Sequence, residues 1–495
     1  MNKTKDIYLS KVKTLSNDIK LKPFINISSN YTYCNNNTIT ISLTIEDYKQ
    51  IKSITLYNLD SSYKDINNTD LYEPLPFKIL NEYTNENHTT LILKVKAPSN
   101  QHDFNLLVKY YYFDIFGRRF DKKNNKQIIL NTQEFKPINN PYIKGKPVTN
   151  DELFFGRDDI VYNLTQSLLN DTSNCIVIYG QKRSGKTSIF KHVKKKIEST
   201  FVVLDINIAT FKEELEAYKA IKSSFEEFLD ECDNDNLKTF EQFEITDYQD
   251  FKRYINKASK LAKNLDKQIL IMIDEFTSVF EYIKNADYDF DDTFMKRLKE
   301  LIELDLFKIA VIGQNTMPEF INAYPNEFAV TTPVYINYLE HYDAKNLIKK
   351  PIYNNGENRF LENTDRYIAE IFNGQPYYIQ MFCSELVDRI NDELKQDEIT
   401  LAFVEYHLSK FIKSKRKDFF DPLVPYKDTK TFELLTRLSK NSEVFEDIFL
   451  NKDSIREDDK IILRKLHDNK VIEYSQNANT IKFIIPFFQM WLKEQ

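Results

Sequence analysis

The stretch Ile176 to Phe190, IVIYGQKRSGKTSIF, decides the architecture of most of this chain. Within it, GQKRSGKT (180–187) has the spacing G-x-x-x-x-G-K-[ST], preceded by an apolar β-branched run and followed by a helix-forming one. Gly180 and Gly185 let the backbone curl until successive N–H groups face one concavity, and the positive end of the next helix adds to the field there. A nucleoside triphosphate fits such a site. Lys186 offers a cation to its β- and γ-phosphates, Thr187 a hydroxyl to Mg²⁺, and Gln181, Lys182, Arg183, Ser184 and Ser188 complete the cradle. The chain has only eight glycines in 495 residues, and chance predicts on the order of one such match in several hundred chains of this length.

About ninety residues further on, ILIMIDEF (269–276) is an apolar strand ending in two carboxylates. At the mouth of a parallel sheet, Asp274 is placed to hold Mg²⁺ and Glu275 to orient and deprotonate an attacking water. A further strand in FKIAVIGQNTMPEF (307–320) ends in Gly-Gln-Asn-Thr, where an amide or hydroxyl can touch the γ-phosphate. Gln314, Asn315 and Thr316 are all able to do so, and Asn315 is assigned the role.

The rest of the chain sets this site among several units, since 495 residues suggest roughly three domains. The net charge of −6 argues against a whole-molecule polyanion binder. The basic runs KHVKKK (191–196) and KSKRK (413–417) lack interleaved aromatics and read as solvated helix faces. Cys34, Cys175, Cys232 and Cys383 are scattered, which excludes a cysteine-based zinc site, and the six histidines are equally dispersed. No run approaches the ~18 apolar residues of a membrane span, and the N-terminal MNKTKDIYLSK lacks a secretory apolar segment, so a cytoplasmic location without a membrane partner is expected.

Residues 1–135 read as β: TITISLTI, KSITLYNL, TTLILKVK, FNLLVKYYYFDI and KQIILN are β-branched and aromatic runs between polar turns. An all-β, Ig-like sandwich serving interaction is expected, with DIFG (114–117) turning between its last two strands. The connector PINNPYIKGKPVTN (137–150) leads into alternating β and α segments. Strands are expected at 174–179, 201–208, 268–274, 307–312 and 328–336, with helices at 157–170, 186–198, 211–231, 249–265, 292–304 and 341–350. Helical periodicity continues from 358 to 416. From about 429, two helices, two strands around a polar turn and a closing helix are in winged-helix order.

Taken together, NPYIKGKPVTNDELFFGRDDIVYNL, GQKRSGKTS, ILIMIDEF, YINYLEHYDAKNLIKKPI and FNGQPYYIQMFCSELV resemble the STAND NTPases and their AAA+ relatives, the archaeal-type and origin-recognition-type ATPases. The likeness spans roughly 140–495. It implies an α/β P-loop ATPase core at 151–340, a helical lid at 341–420 and a winged helix at 421–495, joined through a linker at 136–150 to the β domain at 1–135. By this resemblance Phe155, Gly156 and Arg157 contact the base or ribose, and Pro376 of Gly374-Gln375-Pro376 touches adenine from the lid. The implied activity is slow or regulated ATP hydrolysis with Mg²⁺. ATP or ADP then sets conformation or oligomeric state, in the manner of switches in prokaryotic conflict and antiviral defence that act through a protein partner or their own assembly. A DNA-associated ATPase using the winged helix is the alternative. Two departures stand out: IKFIIPFFQMWL carries no phosphate-sensing histidine, and Gly-Gln-Asn-Thr replaces a Thr-Thr-Arg sensor. His467 reads as a surface residue; no arginine finger is assigned, and Arg297 is only a speculative candidate.

Overall fold

The computed structural model describes residues 23–27, 31–33, 38–46, 51–64, 70–84, 88–96, 103–113, 117–131, 135–170, 174–232, 234–285, 287–290, 292–329, 331–361, 363–394, 397–414, 429–441, 443–450 and 456–495. Its contacts divide the chain into two compact units. One comprises 1–141, 352–367 and 382–413; the other comprises 142–351, 368–381 and 414–495.

The first unit contains two sheets. One is antiparallel, in the order β1 (Ile25–Ile27), β3 (Thr38–Glu46), β7 (His88–Lys96), β6 (Phe77–Thr84). The other runs β2 (Tyr31–Tyr33), β9 (Arg119–Asn131), β8 (Asp103–Phe113), β4 (Ile51–Lys64), β5 (Asp70–Pro74). Alternation decides which side chains go inward: Ile39, Ile41, Leu43 and Ile45 of β3 meet Phe104, Leu106 and Val108 of β8 in one buried cluster. β8 and β9 pair antiparallel up to Phe113 opposite Arg119; residues 114–116 of the expected DIFG turn lie outside the described residues. β9 starts at Arg119, well before the apolar run at 126, because RFDKKNNKQ has no hydrophobic pattern and is made a strand by its ladder with β8. The short, largely polar β5, DLYEP, escaped the sequence reading for the same reason, and β6, FKILNEYT, was also missed.

The second unit is built on a five-stranded parallel sheet in the order β11 (Phe201–Asn207), β12 (Gln268–Asp274), β13 (Lys308–Gly313), β10 (Cys175–Gly180), β14 (Thr331–Ile336). The three central strands, β12, β13 and β10, are near-continuous apolar runs, as required when helices cover both faces, whereas the edge strand β14 is partly exposed. Helices Asp158–Leu169, Lys186–Ile197, Glu214–Glu231, Tyr248–Asn264, Asp292–Glu303 and His341–Lys349 occupy the connections, close to their expected bounds. The order matters for function. β10, β13 and β12 are neighbours, so the three motifs at their carboxyl ends converge on one rim of the sheet.

The chain closes with helices Thr429–Ser439, Glu457–Asp468 and Pro486–Lys493 around a small sheet in the order β15 (Ile448–Phe449), β17 (Thr480–Phe483), β16 (Ile472–Ser475). His467, expected at the surface, is half-buried, and its Nδ1 accepts a hydrogen bond from the Tyr474 backbone at 3.1 Å. It pins helix to strand. No described helix is long and apolar enough to cross a membrane.

Ile271 lies mid-strand in β12, 1 % exposed and packed in the core beneath the sheet. Ile271→Ala should cost about 2–5 kcal/mol and lower the calorimetric melting transition of this unit.

Candidate functional site

At the end of β10 the chain turns through GQKRSGKT and enters helix Lys186–Ile197. Gly185, at φ 96°, caps that helix in a left-handed conformation that a side chain would strain. The Lys186 ammonium lies in the loop, donating to the carbonyl oxygens of Gly180 at 3.0 Å and Gln181 at 2.8 Å. Burial pulls its pKa down to about 8, against the opposing pull of Glu275 and Asp274.

Thr187 Oγ1 donates to Asp274 Oδ2 at 3.1 Å, and Asp274 Oδ1 accepts from the Glu275 backbone at 2.8 Å. Burial raises the Asp274 pKa. A hydroxyl and a carboxylate facing each other form a hard-oxygen donor set, which fits Mg²⁺. Glu275 sits at φ 56°, uncommon for a non-glycine residue, so the backbone swings its carboxylate off the strand axis. Its Oε2 accepts from Gln314 Nε2 at 2.9 Å.

Two further segments line a cavity of about 220 Å³ with Lys182, Arg183, Gly185, Lys186, Thr187, Ser188, Asp274 and Glu275. The first, Ile143 and Gly145–Val148, is tied down by Val148 N–H donating to Ser188 Oγ at 2.9 Å. Ser188 thus holds a wall of the pocket. The second is the start of helix Pro376–Arg389, contributing Pro376, Tyr377 and Gln380. Gln380 accepts from Ile143 N–H at 3.0 Å, Gln375 donates to the Arg183 carbonyl at 3.4 Å, and the Arg183 guanidinium stands 4.0 Å over the Tyr377 ring.

Other residues singled out in the sequence lie elsewhere. Phe155, Gly156 and Arg157 do not line the cavity. Arg157 is buried, donates to the Asn337 carbonyl at 2.5 Å, and has its pKa lowered to about 10 by that burial. A Cβ on Gly156 would come within 2.5 Å of the Asp343 carboxylate. The box joins the helix after it to helix His341–Lys349. Asn315 does not face Glu275: buried, it donates to Gln181 Oε1 at 3.0 Å and to the Asn469 carbonyl at 2.7 Å. Gln314 is the amide at the carboxylate. Arg297 is engaged with Glu214 at 2.8 Å. Sequence reasoning missed Tyr377 and Gln380, for which helical spacing after Pro376 was the available signal.

Comparison with known proteins bears on the fold and on nucleotide binding. Residues 154–382 match the model of an ATPase domain found predominantly in Archaea. An uncharacterised ATP-binding protein of Methanocaldococcus jannaschii is 22 % identical over 326 residues, covering 59 % of this chain and 87 % of its own. Among solved structures, the ORC2 protein of Aeropyrum pernix in ADPNP–ADP complexes aligns with TM-score 0.50 and 10 % identity, over 73 % of this chain and 97 % of its own. The fold is that of a P-loop NTPase.

Lys186 gives the site a pH signature. Bound phosphate favours the ammonium, so its contribution to affinity is fully present below pH 8 and is lost as pH rises through and above it. Between pH 7 and 9.5, ATP-analogue affinity by fluorescence titration should fall about tenfold or more, and Lys186→Ala should flatten that profile.

Proposed function

We propose that this protein is an ATP-binding and ATP-hydrolysing switch. The observation that carries the reading is the convergence of Lys186, Thr187, Asp274 and Glu275 on one rim, walled by residues 143–148 and 376–380. In this reading the loop amides and Lys186 take the β- and γ-phosphates, and Thr187 with Asp274 holds Mg²⁺, which when bound neutralises phosphate charge. Glu275 orients the attacking water and accepts its proton. Gln314, bonded to Glu275, replaces Asn315 as the residue that reads the γ-phosphate.

Asn315 takes a different role. We read the C-terminal segment as a winged helix, and Asn315 ties its Asn469 to Gln181 of the phosphate loop. Nucleotide exchange at the loop therefore biases how that segment is held, the behaviour of a STAND-like switch acting through a protein partner or self-assembly, with antiviral defence as its setting. The likeness to an ORC2 protein favours a second reading, a DNA-associated ATPase. Helix Glu457–Asp468 exposes Arg464, but Lys460 is paired with Glu457, and Asp458 and Asp468 are exposed on the same helix, leaving a sparse phosphate-binding face.

Glu275→Gln should reduce steady-state ATP hydrolysis by about a hundredfold or more while retaining ATP, detected by chromatography of the nucleotide released from purified protein. Gln314→Ala should lower kcat, whereas Asn315→Ala should mainly increase proteolytic access to the C-terminal segment. Unchanged hydrolysis in Glu275→Gln would remove the reading.

A further inference from the structure

We propose that the outward face of the five-stranded sheet in the first unit binds single-stranded nucleic acid. The other sheet has helix Leu401–Lys413 packed beside β6 and β7. On the five-stranded sheet, Ser53, Thr55 and Tyr57 of β4, Lys109 and Tyr111 of β8, and Arg119, Asp121, Lys122 and Lys123 from the exposed stretch 119–123 of β9 line a shallow cavity of about 470 Å³.

The chemistry of that face is cationic and aromatic together. Lys109, Arg119, Lys122 and Lys123 are all exposed and face a single lining carboxylate, Asp121, on a chain of net charge −6. The Lys109 ammonium stands 4.8 Å from the Tyr57 ring centre and 5.2 Å from that of Tyr72. The Arg119 guanidinium lies 4.1 Å over Tyr111 and bonds Asp121 at 2.7 Å. Lys109 is directly opposite Lys123 across the ladder, and like charges so placed destabilise a sheet unless an anion lies between them. Phosphates satisfy the cations, and unpaired bases satisfy the ring faces that a duplex, with its bases stacked inside, cannot use. The pattern is invisible along the chain. Cations and aromatics of three strands are interleaved only once β4, β8 and β9 are paired.

The test is fluorescence anisotropy of the full chain with a labelled oligothymidylate of about 20 nucleotides. About three phosphate contacts on a single strand predict a log–log salt slope near −2. Lys109→Glu combined with Lys123→Glu should weaken binding about tenfold or more, and Tyr57→Ala combined with Tyr111→Ala about tenfold. Arg464→Glu in the C-terminal segment should leave it unchanged, which separates this face from the DNA reading above. An unchanged far-ultraviolet circular-dichroism spectrum and melting profile report that each variant is folded; Lys109→Ala, an exposed truncation, is the milder variant and should weaken binding about threefold. No binding at low salt, binding indifferent to the lysine changes, or equal affinity for duplex DNA or polyglutamate that ignores the tyrosine changes would overturn the proposal.

Discussion

An ammonium withdrawn from water beside two carboxylates is the constraint on which the second unit is arranged. Lys186 donates to two carbonyls of its own loop, while Asp274 and Glu275 stand near enough to oppose the loss of its charge. Such a group is costly to bury without partners, and the two carbonyls and the nearby carboxylates offset that cost. The order β12, β13, β10 in the sheet makes the arrangement achievable, because it brings loop, carboxylates and the Gly-Gln-Asn-Thr turn to one edge.

Enclosure is the second requirement, since charge interactions strengthen as water is excluded. Two segments distant in sequence provide it. Val148 reaches Ser188 and Ile143 reaches Gln380, so the connector is stitched to both the loop helix and the Pro376 helix. Arg183 and Tyr377 add a cation–π contact between the loop and that same helix. Asn315 then joins the loop to Asn469 and the C-terminal segment. Under the proposed function, these contacts are the route by which a change at the phosphates reaches the elements that close the pocket.

Much of this was legible in the sequence because it depends on local rules. GQKRSGKT and ILIMIDEF announce themselves through residue types that few other environments demand, and the core helices follow apolar spacing. What was not legible depends on side chains meeting across the fold. Gln314 and Asn315 are adjacent amides, and only the turn after β13 decides that the first faces Glu275 and the second Asn469. That Arg157 donates to the Asn337 carbonyl, 180 residues away, could not be read from the short motif Phe155-Gly156-Arg157. The early half of β9 carries no strand pattern and exists through pairing with β8.

Hydrogen–deuterium exchange of the full chain, with and without ATP and Mg²⁺, tests most directly whether one nucleotide site is formed by all these elements. Slowed exchange is predicted at 180–188, at 143–148 and at 375–380 together. Protection confined to 180–188, or absent from all three, would contradict a site closed by the connector and the Pro376 helix.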